Sequence, residues 1–165
     1  MRFRLLILAA FLLPTAVFAQ ETGNDDPVYV LDSVKVTPGI MTGLTPDNIG
    51  LMTIAKGKKA VLLYGSQAEN GVVYIETKPF ARKRVSNFLR SVSPAYDSLR
   101  KQYPSDSAIC FIVNDKVVQA NDEARLFVVD RKSFISLKVL TAKELEEKYH
   151  ISDRKAGVAI TSSED

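Results

Sequence analysis

Residues 44–78 read LTPDNIGLMTIAKGKKAVLLYGSQAENGVVYIETK, and the order of local signals in this stretch decides the fold. Thr45-Pro46-Asp47 offers an N-cap followed by proline at the first helical position, which opens a short helical turn through Ile49. Leu51 to Ala55 reads as a strand. Lys58 to Tyr64 predicts a short helix with apolar residues at Val61, Leu62 and Tyr64, ended by Gly65, the usual residue where the backbone must go left-handed. Glu69-Asn70-Gly71 is a turn, and Val72 to Thr77 alternates well enough to be the next strand.

Upstream, VYVLDSVKV from Val28 to Val36 is β-rich with the polar pair Asp32-Ser33 at its centre, so two short strands or one bent strand precede the stretch. Downstream, Pro79 closes the unit and the period becomes helical. Val85, Phe88, Leu89 and Val92 fall at i, i+3, i+4 and i+7, an apolar stripe on one helix face. Ser93-Pro94 restarts the pattern as a cap and first-turn proline, and Tyr96, Leu99 and Tyr103 continue it. Arg82, Lys83, Arg84, Arg90, Arg100 and Lys101 decorate this connector. A solvated helix face is the expected role for them, ahead of an anionic-ligand site, because such faces are normally charged.

The second half repeats the plan of the first. Ile112-Val113-Asn114-Asp115-Lys116-Val117-Val118 has the apolar, turn, apolar layout of Val30 to Val36. Phe134, Leu137, Val139 and Tyr149 fall 85 positions after Ile49, Met52, Ile54 and Tyr64, and Gly157-Val158 falls 86 after Gly71-Val72. One nearly constant offset predicts an internal duplication. Thr141 and Glu144 form a capping-box pair and Glu144 with Lys148 a favourable i, i+4 pair, so a helix is expected from Ala142 to His150, followed by a last strand through Thr161. The fold class that results is α+β: two small β-α-β-α-β units, at 27–80 and 106–162, joined by a helical segment at 81–105, with 20–26 a flexible lead and 163–165 a tail.

The stretch Leu44 to Ile49, then Met52-Thr53-Ile54-Ala55-Lys56-Gly57, Ala60, Tyr64-Gly65-Ser66, Ala68, Asn70-Gly71-Val72-Val73, Ile75 and Thr77-Lys78 resembles the plug domain of TonB-dependent outer-membrane receptors. Sequences of that family read as an NP-D-I-E turn, a V-L-K-G strand end, an A-x-x-x-YG helix and a NGV-I-x-I-x-TK strand. Val28 to Asp32 resembles the family's LYVVDG opening, with Ser33 where glycine is usual. The second unit fits in outline, its tyrosine-glycine pair replaced by Tyr149-His150. A receptor barrel needs many alternating strands of about ten residues each, for which 165 residues leave no room. The resemblance therefore implies a detached plug-like module, an interaction domain and not a pore. Tyr64, Gly65, Asn70, Gly71 and Gly157 are expected to serve backbone geometry, in turns, helix ends and close strand approach, and not ligand contact.

The chain opens with Arg2 and Arg4, an apolar block from Leu5 to Leu13, and short residues at Val17 and Ala19, the order of a secretory signal cleaved after Ala19. The block is shorter than the roughly 20 residues of a spanning helix, and Pro14 interrupts it. Gln20 as the first mature residue is not the cysteine that a lipid anchor needs. A periplasmic or extracellular location is expected, with no integral membrane segment after cleavage. Net charge is +3, from 22 basic and 19 acidic residues, and falls to +1 once Arg2 and Arg4 are removed, so a nucleic-acid partner is not expected.

Cys110, the only cysteine, lies in an apolar run and reads as a buried small hydrophobe. His150, the only histidine, follows a helix end, where a cation is favourable. Gly57-Lys58-Lys59 lacks the spacing of a phosphate loop, no paired His or Cys suggests a metal, and Asp25-Asp26 and Glu146-Glu147 lie on a tail and a helix surface. No catalytic residue, metal ligand or cofactor is assigned. A non-catalytic interaction module with an envelope protein as partner is expected, with exposed strand edges as its contact surface. The alternatives are an accessory subunit or barrel-less remnant that docks to an envelope transport or signalling complex, and a hydrolase with an unrecognised site. Converging carboxylates in a concave pocket would favour the hydrolase; an open sheet edge would favour the interaction module.

Overall fold

The computed structural model describes residues 26–163; the expected signal sequence, most of the lead and the last two residues lie outside them. β1 (Val28–Leu31) and β2 (Val34–Val36) form a hairpin across Asp32 and Ser33. Both turn residues have positive φ, 48° and 70°, the geometry that a two-residue hairpin needs to match strand twist. After two 3-10 turns, Pro38–Gly43 and Pro46–Asn48, come β3 (Ile49–Ala55), α1 (Lys58–Tyr64) and β4 (Val72–Thr77). The sheet order is β2-β1-β4-β3, with β4 parallel to β1 and antiparallel to β3. α1 covers one face, where Ala60 and Ala68 pack on Val28, Val30 and Val72.

α2 (Lys78–Val92) and α3 (Pro94–Gln102) connect this sheet to the second. There, β5 (Ile109–Val113) and the two-residue β6 (Lys116–Val117) form a hairpin across Asn114 and Asp115, again with positive φ. The single helical turn α4 (Ala124–Phe127), β7 (Phe134–Thr141), α5 (Ala142–Tyr149) and β8 (Ala156–Ser162) follow. The order β6-β5-β8-β7 matches the first sheet strand for strand. So does the register: Met52↔Ile75 recurs as Leu137↔Ile160 and Ile54↔Val73 as Val139↔Val158, each 85 positions on, and each edge strand carries an irregularity at the same place.

This register corrects one expected correspondence. Ala55 pairs Val72 and Leu140 pairs Gly157, so Gly157 takes the place of Val72, and Ala156 that of Gly71. The two glycines answer different constraints. Gly71 has φ 98°, and a Cβ there would meet the Ala55 carbonyl oxygen at 2.9 Å, whereas a Cβ on Gly157 would meet the Leu145 side chain at 2.9 Å, where α5 presses on the sheet.

Other expectations shift for local reasons. Thr45 makes no side-chain cap. The Pro46–Asn48 turn is a single loop closed by Asn48 N–H to the Thr45 carbonyl, and it leads straight into β3, which begins at Ile49 and not at Leu51. The connector helix starts at Lys78, because Thr77 caps it by accepting from the Phe80 N–H, which makes Pro79 a first-turn residue and not a terminator. The opening element of each unit is a hairpin, the short helical turn expected after Thr45 is of 3-10 type, and the helix expected from Lys58 to Tyr64 is α1.

The main core lies between the connector and the second sheet: Ala81, Val85, Leu89, Tyr96 and Leu99 pack with Ile109, Val113, Phe127, Val158 and Ile160. Phe88 meets Phe134 edge to face at 5.5 Å between ring centroids. On the other face of that sheet, Leu145 of α5 packs on Cys110, Ile112 and Leu140. α2 and α4 also press on the start of β3, where a Cβ on Gly50 would meet Lys78, Phe127 and Ala81 at 3.1–3.2 Å.

Candidate functional site

Three places could carry chemistry or binding: the connector's basic residues, a cleft beside β5, and the uncovered surfaces of the first sheet. Lys83 is exposed, and the other five basic residues are engaged within the fold. Arg82 holds Glu123 in a two-pronged pair with contacts of 2.6–2.8 Å. Arg84 holds Glu76 at 2.8 Å and donates to the Phe127 carbonyl oxygen at 2.6 Å, Arg100 holds Asp106 at 2.6 Å, and Lys101 holds Asp97 at 2.7 Å. The Lys101 ammonium keeps the Asp97 carboxyl below its ordinary range. The Arg82, Arg84 and Arg100 pairs fasten the connector to the elements around it, while Lys101–Asp97 lies within α3.

The cleft, of about 470 Å³, runs along Ile109, Cys110 and Phe111 and ends at Glu123, Asp153 and Arg154. Each of its carboxylates is held by an arginine. Glu123 is taken by Arg82, Asp106 by Arg100 and Asp153 by Arg154 at 2.7 Å. The Cys110 thiol donates weakly to the Phe111 carbonyl oxygen at 3.8 Å, and burial pushes its pKa up, away from the thiolate a nucleophile requires. His150 is exposed and ends α5 in the left-handed conformation, φ 57° and ψ 36°, its N–H bonded to the Glu146 carbonyl oxygen. It fills the place of Gly65, whose φ of 72° combines with an extended ψ of −163° that suits glycine. Among the described residues, no group of three or more His, Cys, Asp or Glu could hold a metal ion.

The first sheet differs from the second in what covers it. Val28 N–H bonds the Gly71 carbonyl oxygen and Asp32 N–H that of Ile75, so the odd-numbered residues of β4 turn their backbone groups to β1 and the even-numbered ones to β3. Leu51, Thr53 and Ala55, paired with Glu76, Tyr74 and Val72, thus face the ladder, while Met52 and Ile54 turn their N–H and C=O groups to the open edge. Their side chains lie on the face away from α1, at 51% and 60% exposure. The pairings extend this into an apolar row across all four strands, Ile54-Val73-Tyr29-Val36, none of it fully buried. The matching positions of the second sheet, Val139, Val158, Phe111 and Val118, pack into the main core.

α1 shows the same contrast. Leu62 and Leu63 are 86% and 70% exposed. The corresponding residues of α5, with its Tyr149 matched to Tyr64, are Glu147 and Lys148. Residue-by-residue reading took Leu62 as an ordinary apolar helix residue and missed Met52 and Ile54 as a surface. The signal was present in the 85-residue offset, which sets Val61-Leu62-Leu63 against Glu146-Glu147-Lys148.

The chain is similar to the TonB-dependent receptor SusC of Bacteroides thetaiotaomicron, 29% identical over 87 residues that cover 48% of this chain and 9% of that protein. A receptor-related segment is thus supported within a chain that spans less than a tenth of the relative's length. No family model matches the chain, and no solved structure matches it. No helix among the described residues is long and apolar enough to cross a membrane.

Proposed function

We propose that this chain is an exported, non-catalytic interaction module of the cell envelope, made of two plug-like units of common descent, that binds an envelope protein through the open face and edge of its first sheet. The observation that carries this reading is the exposure of Met52 and Ile54, 51% and 60%, on the edge strand of the first sheet, set against Leu137 and Val139 at the same positions of the second, which pack against the main core. The fold itself uses that face as a packing surface once. Leaving Met52 and Ile54 exposed on an unpaired edge strand provides main-chain hydrogen bonds for strand addition and alternate apolar side chains for specificity. Paired carboxylates around the cleft argue against the hydrolase reading, because general acid–base work needs acids free to reach a substrate. In this reading the plug-like glycines and tyrosines hold backbone geometry, and cleavage after Ala19 delivers the module to the periplasm or beyond.

The test is affinity capture of the C-terminally tagged mature protein from its own envelope, with a Met52→Glu/Ile54→Lys variant in parallel. Both side chains are more than half exposed, so the variant should fold. A specific envelope protein recovered by wild type and lost by the variant is the expected outcome. The same proteins recovered by both would sink the assignment of this surface.

A further inference from the structure

We infer that α1 is a membrane-surface contact that sets the tip of the first unit into a bilayer bearing anionic headgroups. The inference rests on a different surface from the sheet edge and stands or falls separately.

α1 turns Ala60 and Tyr64 inward, four residues apart, and the opposite side is what it shows to solvent. That side carries Leu62 and Leu63, 86% and 70% exposed, with Lys58 and Lys59 one turn earlier and Val61 on the flank. Lys56 precedes the helix, and Lys35, bonded to Gln67, lies beyond its C-terminal end. Glu69 is the one acid that joins Gly57, Lys58, Val61 and Leu62 around the shallow depression beside the helix.

Three points favour a bilayer over a protein groove. The leucines stand 86% and 70% exposed, and the depression that Leu62 borders is shallow and open, with no groove to enclose a partner's side chain. The charge around them is predominantly positive, with Lys35, Lys56, Lys58 and Lys59 against Glu69, which matches an anionic headgroup layer into which lysine stems can reach while the leucines enter the acyl boundary. The fold does not require this chemistry, because α5 occupies the same place in the second unit with Glu146, Glu147 and Lys148 where α1 has Val61, Leu62 and Leu63. With Lys143 and Glu144 at the positions of Lys58 and Lys59, the second helix is mixed in charge and apolar only underneath.

The experiment is co-flotation of the mature chain with vesicles of phosphatidylcholine alone and of phosphatidylcholine with about one third phosphatidylglycerol. Wild type is expected with the anionic vesicles and not the neutral ones, less so at high salt. The variant Val61→Glu/Leu62→Glu/Leu63→Lys, which installs the residues α5 already carries, should keep its circular dichroism and melting curve and lose roughly tenfold or more of the partition. Lys58→Gln/Lys59→Gln should lose several-fold. No partition of wild type into anionic vesicles overturns the inference, as does equal partition by the triple variant. Self-association of wild type that the triple variant abolishes, without vesicle binding, also overturns it and assigns the exposed leucines to a second copy of the chain.

Discussion

Asp32 and Asn114 occupy the same point of the two hairpins and do the same task with different side chains. The Asp32 carboxylate accepts from the Thr77 N–H at 2.7 Å and the Thr77 hydroxyl at 2.8 Å; the Asn114 amide oxygen accepts from the Ser162 N–H at 2.9 Å, and its nitrogen donates to the Ser162 carbonyl oxygen at 3.1 Å. Each ties the turn to the end of the central strand, and each tolerates positive φ. Asp32→Asn should therefore be mild, while Asp32→Ala, which loses both bonds and places alanine at φ 48°, should cost on the order of 2–3 kcal/mol in urea unfolding. Equal losses for the two variants would show that the turn does not depend on the amide-like bonding. At Glu144, bonds from the Thr141 backbone N–H, then from the Lys138 ammonium and the Thr141 hydroxyl, lower the carboxyl pKa to about 2. A depressed folded pKa means this contribution is complete above the unfolded value and disappears as pH falls from the ordinary carboxyl range toward 2. Glu144→Gln should lower the melting temperature at neutral pH, where the contribution is complete, leave it nearly unchanged near pH 2, and so flatten that part of the acid limb; a limb of unaltered slope would contradict the capping-box assignment.

At the scale of elements, the capping box of α5, the 58–64 helix and the 72–77 strand were legible because each rests on neighbours a few residues away: Thr141 with Glu144, Gly57 and Gly65 at the helix ends, alternation in the strand. The residues that decide the surface were not legible one at a time. Met52 and Leu137 have similar sequence surroundings, and only the packing of the connector tells which is exposed. The helical stripe stands between these cases. Its period was visible in Val85, Phe88, Leu89 and Val92, but the structure buries Val85 and Leu89, sets Phe88 against Phe134 and leaves Val92 at 38% exposure. Phe88→Asp puts a charge beside the Phe134 ring and opens a gap under α2. It should cost about 3 kcal/mol or more and lower the melting temperature by roughly 10 °C. An unchanged melting temperature by calorimetry would mean that α2 does not depend on that contact. Val92→Asp, at the solvent end of the same stripe, should change it little.

For the whole molecule, the two sheets share a topology but not a degree of self-sufficiency. The connector's apolar side, Ala81, Val85, Leu89, Tyr96 and Leu99, is spent on the second sheet, whose opposite face is closed by Leu145 of α5. The first sheet keeps the five-residue cluster under α1, and at the far end of β3 and β4 it relies on α2 and α4 at Gly50 and on Arg84, which links Glu76 to the Phe127 carbonyl oxygen. Small units with so little buried apolar surface are marginal. A fragment of residues 78–163 retains the main core and should unfold cooperatively on its own, whereas residues 26–77 should show no cooperative thermal transition until the other fragment is added in trans. Two autonomous fragments would mean the first sheet needs no support from the connector, and two unfolded ones would mean the contacts at Gly50 and Arg84 are as necessary to the second sheet as to the first. The expected asymmetry also fits the division of surfaces: the half that carries the exposed Met52 and Ile54 edge and the exposed leucines of α1 is the half that the rest of the chain holds in place.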